Sequence, residues 1–412
     1  MVSNRLHSLR PAVAVPLAAA PLHACTEEAT MPASGLKITE IRLLNLRVVE
    51  EIGAIEPAWD LGGRMQFRRG GGTVTEIHTD GGITGLGPGF HPSLLAVVNQ
   101  RLQGQDPFDT EHLSGVLRYY AHGTAYQGAA GIDIALWDIV GKACGQPLNK
   151  LFGGGRDRVP AYASMVQLAT PEQRADLAAQ LADQGWQAIK LRLHHPTMQE
   201  DLRTVELVRR AVGDRMAIMV DANQAQSAGV WQPGLVWDYR RALETARELD
   251  KLGCYWLEEP LPRYAFKDLA RINADVAMPI AGGENNRGIH EFVQMLEMNV
   301  YDILQPESMV NIGITDLRKI GVLAEAYGKK IVPHHGGRNL GTIAHLHLVA
   351  AWPHSPYLEV LHDPPIGDYI YGFSILQDPP TVDADGCIAV PTKPGLGVEL
   401  DRDLVADVLT AK

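Results

Sequence analysis

AIMVDAN (217–223), CYWLEEP (254–260) and MPIAGGEN (278–285) share one pattern: a short apolar run that closes on a carboxylate. Runs of this length, flanked by turn residues, read as buried strands. The rhythm extends both ways. PAYASM (160–165) and AIKLRL (188–193) stand before it; VYDILQPE (300–307), KIVPHH (330–335) and PYLEVL (356–361) follow. Linkers such as PEQRADLAAQLADQG (171–185) and DLRTVELVRRAVG (201–213) carry helical spacing. Eight strand–helix units in succession predict a parallel barrel, not an open sheet. A doubly wound sheet is expected to carry a nucleotide fingerprint such as GxGxxG after an early strand, and none is found.

Upstream the pattern differs. ITEIRLLNLRVV (38–49) reads as a strand and TVTEIHTDGGITGLGPG (73–89) as a hairpin turned at Asp80-Gly81-Gly82. Residues 50–72 show no period and read as a long loop, a candidate lid. Residues 92–121 read as helices. GAAGIDIALWDIVGKACGQPLNKLFGG (128–154) starts as a buried helix with small residues along it and stops at Gly145-Gln146-Pro147. The expected organisation is an α+β capping domain (36–156), a barrel (157–372) and a C-terminal segment (373–412). Strand-like GCIAVP (386–391) in that segment is expected to return to the first domain.

At 412 residues the chain is long enough for two domains, and no run of eighteen apolar residues exists for a membrane span. A net charge of −11 argues against a nucleic-acid surface. Cys25, Cys144, Cys254 and Cys387 lack metal-ligand spacing and read as free thiols, favouring a reducing, cytoplasmic setting. Residues 1–35 carry Arg5 and Arg10 before PAVAVPLAAAPLHA, with Cys25 in a lipoprotein-like context. Pro11, Pro16 and Pro21 weaken that stretch as an export signal; a disordered extension is the plainer reading, with export as the alternative.

Active sites of such barrels lie at the carboxyl ends of the strands. There the chain places Ser164, Lys190 with Arg192, Asp221 with Asn223, Glu258, Glu284, Glu307, His334 and Glu359. Three converging carboxylates, Asp221, Glu258 and Glu284, would repel one another unless a cation sat among them. Oxygen-only ligands suit a hard ion, Mg2+ before Zn2+.

These strand-end motifs (VDAN, WLEEP, GGEN and PHH, in order) and the junction GIDIALWDIVGKACGQPLNKLFGG resemble the enolase superfamily, mandelate racemase subgroup, from about Leu36 onward. The resemblance implies a modified (β/α)7β TIM-type barrel under an α+β cap, and one Mg2+ per active site on Asp221, Glu258 and Glu284. It further implies removal of the proton α to a substrate carboxylate, with the enediolate stabilised by the metal. Within it Asn223 would contact a substrate hydroxyl. Glu359 would donate to the enediolate, which requires a raised pKa. His334 aligns with the base and Glu307 with its partner, where the family usually has Asp. His335 is the competing histidine; strand alternation would let only one of the two enter the site. A homo-oligomer is also implied.

The subgroup's two-base members carry Lys-x-Lys where this chain has Lys190-Leu191-Arg192. Arginine is a poor base and a good carboxylate clamp. That favours a dehydratase of an acid sugar (aldonate or aldarate), with His334 taking the α-proton and assisting loss of the β-hydroxyl to give a 2-keto-3-deoxy acid. A racemase, epimerase or cycloisomerase with Lys190 as second base stays open, as does a non-catalytic metal-binding barrel. The plainer reading of Lys190 and Arg192 is charge neutralisation of the carboxylates. A zinc hydrolase would want early histidine ligands. Trp59, Arg64, Phe67 and Arg68 are candidate substrate cover. His194, His195 and His362 read as exposed loop histidines, with His194 a candidate substrate contact.

Overall fold

The computed structural model describes residues 35–121, 129–226 and 231–411. The barrel strands are β6 (Arg158–Ser164), β7 (Ala188–Arg192), β8 (Ala217–Asp221), β9 (Trp256–Glu258), β10 (Ile280–Gly282), β11 (Ile303–Leu304), β12 (Lys330–Ile331) and β13 (Leu358–Leu361). They pair in the order β12-β11-β10-β9-β8-β7-β6-β13, parallel throughout. All eight expected strands are present. They were legible because both faces of each are buried, so the strands stand out as apolar runs.

Strand periodicity then sets the site. Tyr162, Ala188, Met219, Trp256, Ala281, Ile303 and Val332 form an apolar layer inside the barrel. Their alternates, among them Ile189, Leu191, Ile218, Val220 and Leu257, pack outward under the helices. Two residues on from the inner layer come Ser164, Lys190, Asp221, Glu258, Gln305 and His334. With a period of two, these face the same side, one layer nearer the mouth.

The N-terminal segment is a four-stranded antiparallel sheet in the order β15-β1-β4-β5, from β1 (Ile38–Leu46), β4 (Thr73–Thr79), β5 (Thr84–Pro88) and β15 (Val405–Leu409). Helices α1 (Leu95–Leu102), α2 (Thr110–Ala121) and α3 (Ala130–Ala143) cover it. The α3 helix lies tight on β5 because the facing residues are glycines: a Cβ on Gly87 would come 2.0 Å from the Gly131 carbonyl oxygen.

Two expectations are corrected. Residues 38–49 are not one strand, nor are 50–72 a loop: the chain breaks at Arg47 and continues as a hairpin of β2 (Val48–Ile55) and β3 (Met65–Gly70). Half of β2 is exposed and the pair is laced by polar contacts, such as Gln66 to Glu51 at 2.7 Å, so no apolar alternation marked it. The hairpin is docked on the barrel: Ala58 N–H donates to Val166 O at 2.9 Å, and Ile55 and Phe67 pack with Val166 and Leu361. Secondly, β14 (Cys387–Ala389), within GCIAVP, pairs antiparallel with barrel strand β6, not with the first sheet. Strand β15 is the tail element that joins the N-terminal sheet. Cys144, Cys254 and Cys387 are free thiols; Cys25 and the rest of the proposed leader lie outside the described residues. Among the described residues no helix is long and apolar enough to cross a membrane.

Candidate active site

Asp221, Glu258 and Glu284 converge at the barrel mouth, each offering an oxygen within 4.8 Å of the others, and all three are buried. Each is already oriented by the chain. Trp256 Nε1 (3.1 Å) and Gln305 Nε2 (2.7 Å) donate to Glu258; Gln226 (3.2 Å) and Asn285 (3.1 Å) donate to Glu284. Burial, and then the neighbouring Asp221, pushes the Glu258 carboxyl up. A further carboxyl, Glu259, is fully buried with both oxygens unpartnered, and burial pushes it well above the usual range. Sequence reading passed over it because the strand-end position belonged to Glu258.

This donor set fits a hard divalent ion. Among the described residues, the buried carboxylates of Asp221, Glu258, Glu284, Glu307 and Glu359 are faced by two permanent cations, Lys190 and Arg192, and by histidines that count only when protonated. A divalent ion would close that deficit with oxygen ligands alone.

Lys190 is fully buried, with Nζ 2.8 Å from Glu258, 2.9 Å from Glu359 and 3.6 Å from Asp221. Burial alone would lower its pKa, but Glu258 and Glu359 outweigh it and the ammonium is held well above its ordinary value. Arg192 pairs with Asp221 through Nη1, donates to Met165 O (2.8 Å) and Ser164 Oγ (3.2 Å), and stacks under Trp59 at 4.7 Å. The hairpin thus lays Trp59 over the barrel mouth. Arg64, by contrast, is exposed on the hairpin.

Asn223 sits at φ 46°, a left-handed conformation that asparagine tolerates better than most residues. Its amide donates to Asp221 Oδ2 (3.0 Å) and its oxygen serves Arg192 (3.1 Å) and His194 (3.1 Å). It therefore orients the site's own residues first. His194 is not a solvent-exposed histidine: burial pushes it down to about 4. His195 is also partly buried, near Thr204 at 3.4 Å. His362 is buried and stacked on Trp186 at 4.8 Å. Each lies beyond a strand end but under a following element, which the linear reading could not show.

His334 Nδ1 is 2.9 Å from Glu307, and Nε2 is 3.2 Å from Glu284. The longer Glu307 side chain is received by a full cradle: Met309 N–H (2.8 Å), Ser308 Oγ (3.2 Å) and Gly336 N–H (2.9 Å). Buried His345 adds a ring nitrogen 3.8 Å away, a contact with no signal in the sequence. His335 does not face away from His334; their rings lie 4.0 Å apart. Both fall past the end of β12, and His335 has helical φ/ψ, so strand alternation no longer applies.

Glu359 is buried, with Lys190 Nζ 2.9 Å from its carboxylate. Burial would raise its pKa, but Lys190 and His334 outweigh burial and hold the carboxyl below the usual range.

The dyad makes stability depend on pH. Burial opposes ionisation of both partners. The hydrogen bond to His334 nevertheless lowers Glu307 from 4.5 to about 2, and Glu284, Glu359 and Glu307 raise His334 from 6.5 to about 10. A depressed acid stabilises above its unfolded value and is lost as pH falls; a raised base stabilises below its unfolded value and is lost as pH rises. The pair's contribution should be complete between about pH 4.5 and 6.5, fading toward 2 and 10. Melting temperature against pH in metal-free buffer checks this: Glu307→Gln should flatten the profile, and an unchanged profile would contradict it.

A model of the family described as "Enolase C-terminal domain-like" matches residues 173–404, and the mandelate racemase / muconate lactonizing enzyme N-terminal domain matches 71–153. The arabinonate dehydratase of Saccharolobus solfataricus is 31% identical over 82% of this chain and 90% of that protein. The D-galactarolactone cycloisomerase of Agrobacterium fabrum is 31% identical over 83% of this chain and 92% of its own. Among solved structures, L-talarate dehydratase from Polaromonas sp. JS666, complexed with Mg and L-glucarate, superposes with a TM-score of 0.75. It is 26% identical over 91% of this chain and 99% of that one.

Proposed function

The chain belongs to the mandelate racemase / muconate lactonizing enzyme family of the enolase superfamily, and on that premise we propose that it dehydrates an acid sugar. The observation that carries this is the pairing of one histidine–carboxylate dyad with a lysine that is locked in ion pairs. His334 is oriented by Glu307 and can turn Nε2 to a substrate, whereas Lys190 is fully buried between Glu258 and Glu359. A reaction needing bases on both faces of a carbon is disfavoured; α-proton removal followed by loss of a β-hydroxyl needs one.

Asp221, Glu258 and Glu284 would hold Mg2+, which supplies positive charge facing the substrate carboxylate. The chain's own residues do the rest. Arg192 clamps an oxygen of the acid group from beneath Trp59. His334 Nε2 takes the α-proton, and Glu307 stabilises the imidazolium. The imidazolium returns that proton to the departing β-hydroxyl, which leaves as water. The resulting enol ketonises to a 2-keto-3-deoxy acid.

The relatives' activities support dehydration of an acid sugar, and the cycloisomerase keeps a second chemistry in view. A library of acid sugars scored for 2-keto product tests the reading. Substrate recovered early from deuterated water should keep its configuration. Inversion with deuterium at C2 would mean a second base and would replace dehydration by epimerisation.

A further inference from the structure

The β2–β3 hairpin and the turn after β12 enclose a cavity of about 360 Å3, a size suited to a small ligand. Glu359 and His335 line it toward the catalytic groups; Phe67, Arg68, Arg338 and Asn339 line it toward the hairpin. The His335 ring lies 4.0 Å from that of His334, and Glu359 is shared with the catalytic groups, so the cavity adjoins the base.

Its outer wall holds unbalanced positive charge. The Arg338 guanidinium lies 5.4 Å from the Phe67 ring centroid, and the charge that acts on it is another cation, Arg68. Among the described residues neither arginine has a carboxylate at ion-pair distance. Asp368 also lines the cavity; its Oδ1 is engaged by His362 (3.5 Å) and the Ile370 N–H (3.1 Å), and it forms no ion pair with either arginine. Asn339 Oδ1 is buried without a partner. Arg338 itself is held at φ 72°, a left-handed conformation unfavourable for a non-glycine residue. Two like charges held together beside an unsatisfied amide favour an anion among them.

We propose that Arg338, assisted by Arg68 and Asn339, receives a second carboxylate at the far end of the substrate, so that the enzyme prefers an acid sugar with carboxylates at both ends, an aldarate, over the matching aldonate. The planar guanidinium fork suits a carboxylate bidentately. This rests on the acid-sugar reading above. It adds which class of acid sugar and which residues select it.

Matched aldarate and aldonate pairs of equal chain length and stereochemistry test it with Mg2+ present. Losing charge-assisted hydrogen bonds to one carboxylate is expected to lower kcat/KM for the aldarate about 10- to 100-fold in Arg338→Gln. The loss should fall mainly in KM, with the aldonate unchanged and Arg338→Lys intermediate. Equal losses on both partners, or no aldarate preference in the wild type, would overturn the proposal. Calorimetric binding to His334→Asn, with and without Arg338→Gln, separates the two readings. An aldarate preference that Arg338→Gln removes supports this subsite even if no acid sugar yields 2-keto product. Product formed without that preference leaves the dehydratase standing and sinks the subsite.

Discussion

Replacing His334 by Asn should lower kcat by about 10²- to 10⁴-fold while leaving Mg2+ binding intact, the span expected when a positioned general base is removed. The substitution keeps a polar group of similar reach beside Glu307 and Glu284, so the carboxylates retain a hydrogen-bonding neighbour. Calorimetric titration with Mg2+ checks the binding arm and steady-state kinetics the other. Retained turnover would move the proton-transfer role to another group. The geometry also predicts a graded partner effect. Glu307 touches the imidazole and orients it, so Glu307→Gln should lose less, about 10- to 100-fold, by weakening the hold on one tautomer. Were Glu307 only part of the local packing, its loss would track melting temperature rather than kcat.

Why the base should be free to act also follows from the contacts. Without a ligand ion, Nε2 faces Glu284 at 3.2 Å and the imidazole is held protonated, up to about 10. With Glu284 engaged as a ligand, Nε2 loses that partner and its proton becomes easier to release. The acid limb of kcat/KM should therefore move to lower pH as Mg2+ rises. A limb insensitive to Mg2+ would argue against coupling between Glu284 and His334.

The sequence disclosed what depends on burial and period, and hid what depends on neighbours. Asp221, Glu258 and Glu284 stood out because each closes an apolar run, and the same periodicity carried the whole barrel. The β2–β3 hairpin was hidden because half of β2 is exposed, leaving no apolar stripe. Protonation states were hidden for a different reason. Burial alone would raise the Glu359 carboxyl, and the packing of Lys190 at 2.9 Å, with His334, reverses the direction. His335 was misdirected by strand logic applied one turn beyond the strand. Arg338 follows it in the same turn, and its link to Phe67 of the hairpin spans too much sequence to be visible. The two sides of the site thus differ in kind: strand ends supply the ions and bases, and a docked hairpin supplies the cover.

Glu258→Gln should be the most damaging change to the carboxylate trio. A bound ion contributes several kcal/mol of charge stabilisation, so turnover should fall by about 10³-fold or more. Activity alone would not prove a ligand role, because Glu258 also holds Lys190 at 2.8 Å. Stability separates the two. At a hundred times its dissociation constant an ion that binds only the folded state adds about 2.7 kcal/mol, seen as a rise in melting temperature. Wild type should show that rise with Mg2+ and lose it with EDTA; Glu258→Gln should show little in either. Lys190→Met is the counter-test. It removes the ammonium from Glu258, Glu359 and Asp221 together, so it leaves the carboxylates less neutralised and should bind Mg2+ at least as tightly. If Glu258→Gln kept the Mg2+-dependent rise while Lys190→Met lost it, Glu258 would be a tether for the lysine and the ion would lie elsewhere. The opposite pattern follows from the geometry, since Glu258 is bonded by Trp256 and Gln305 as well and so stays in place without the lysine.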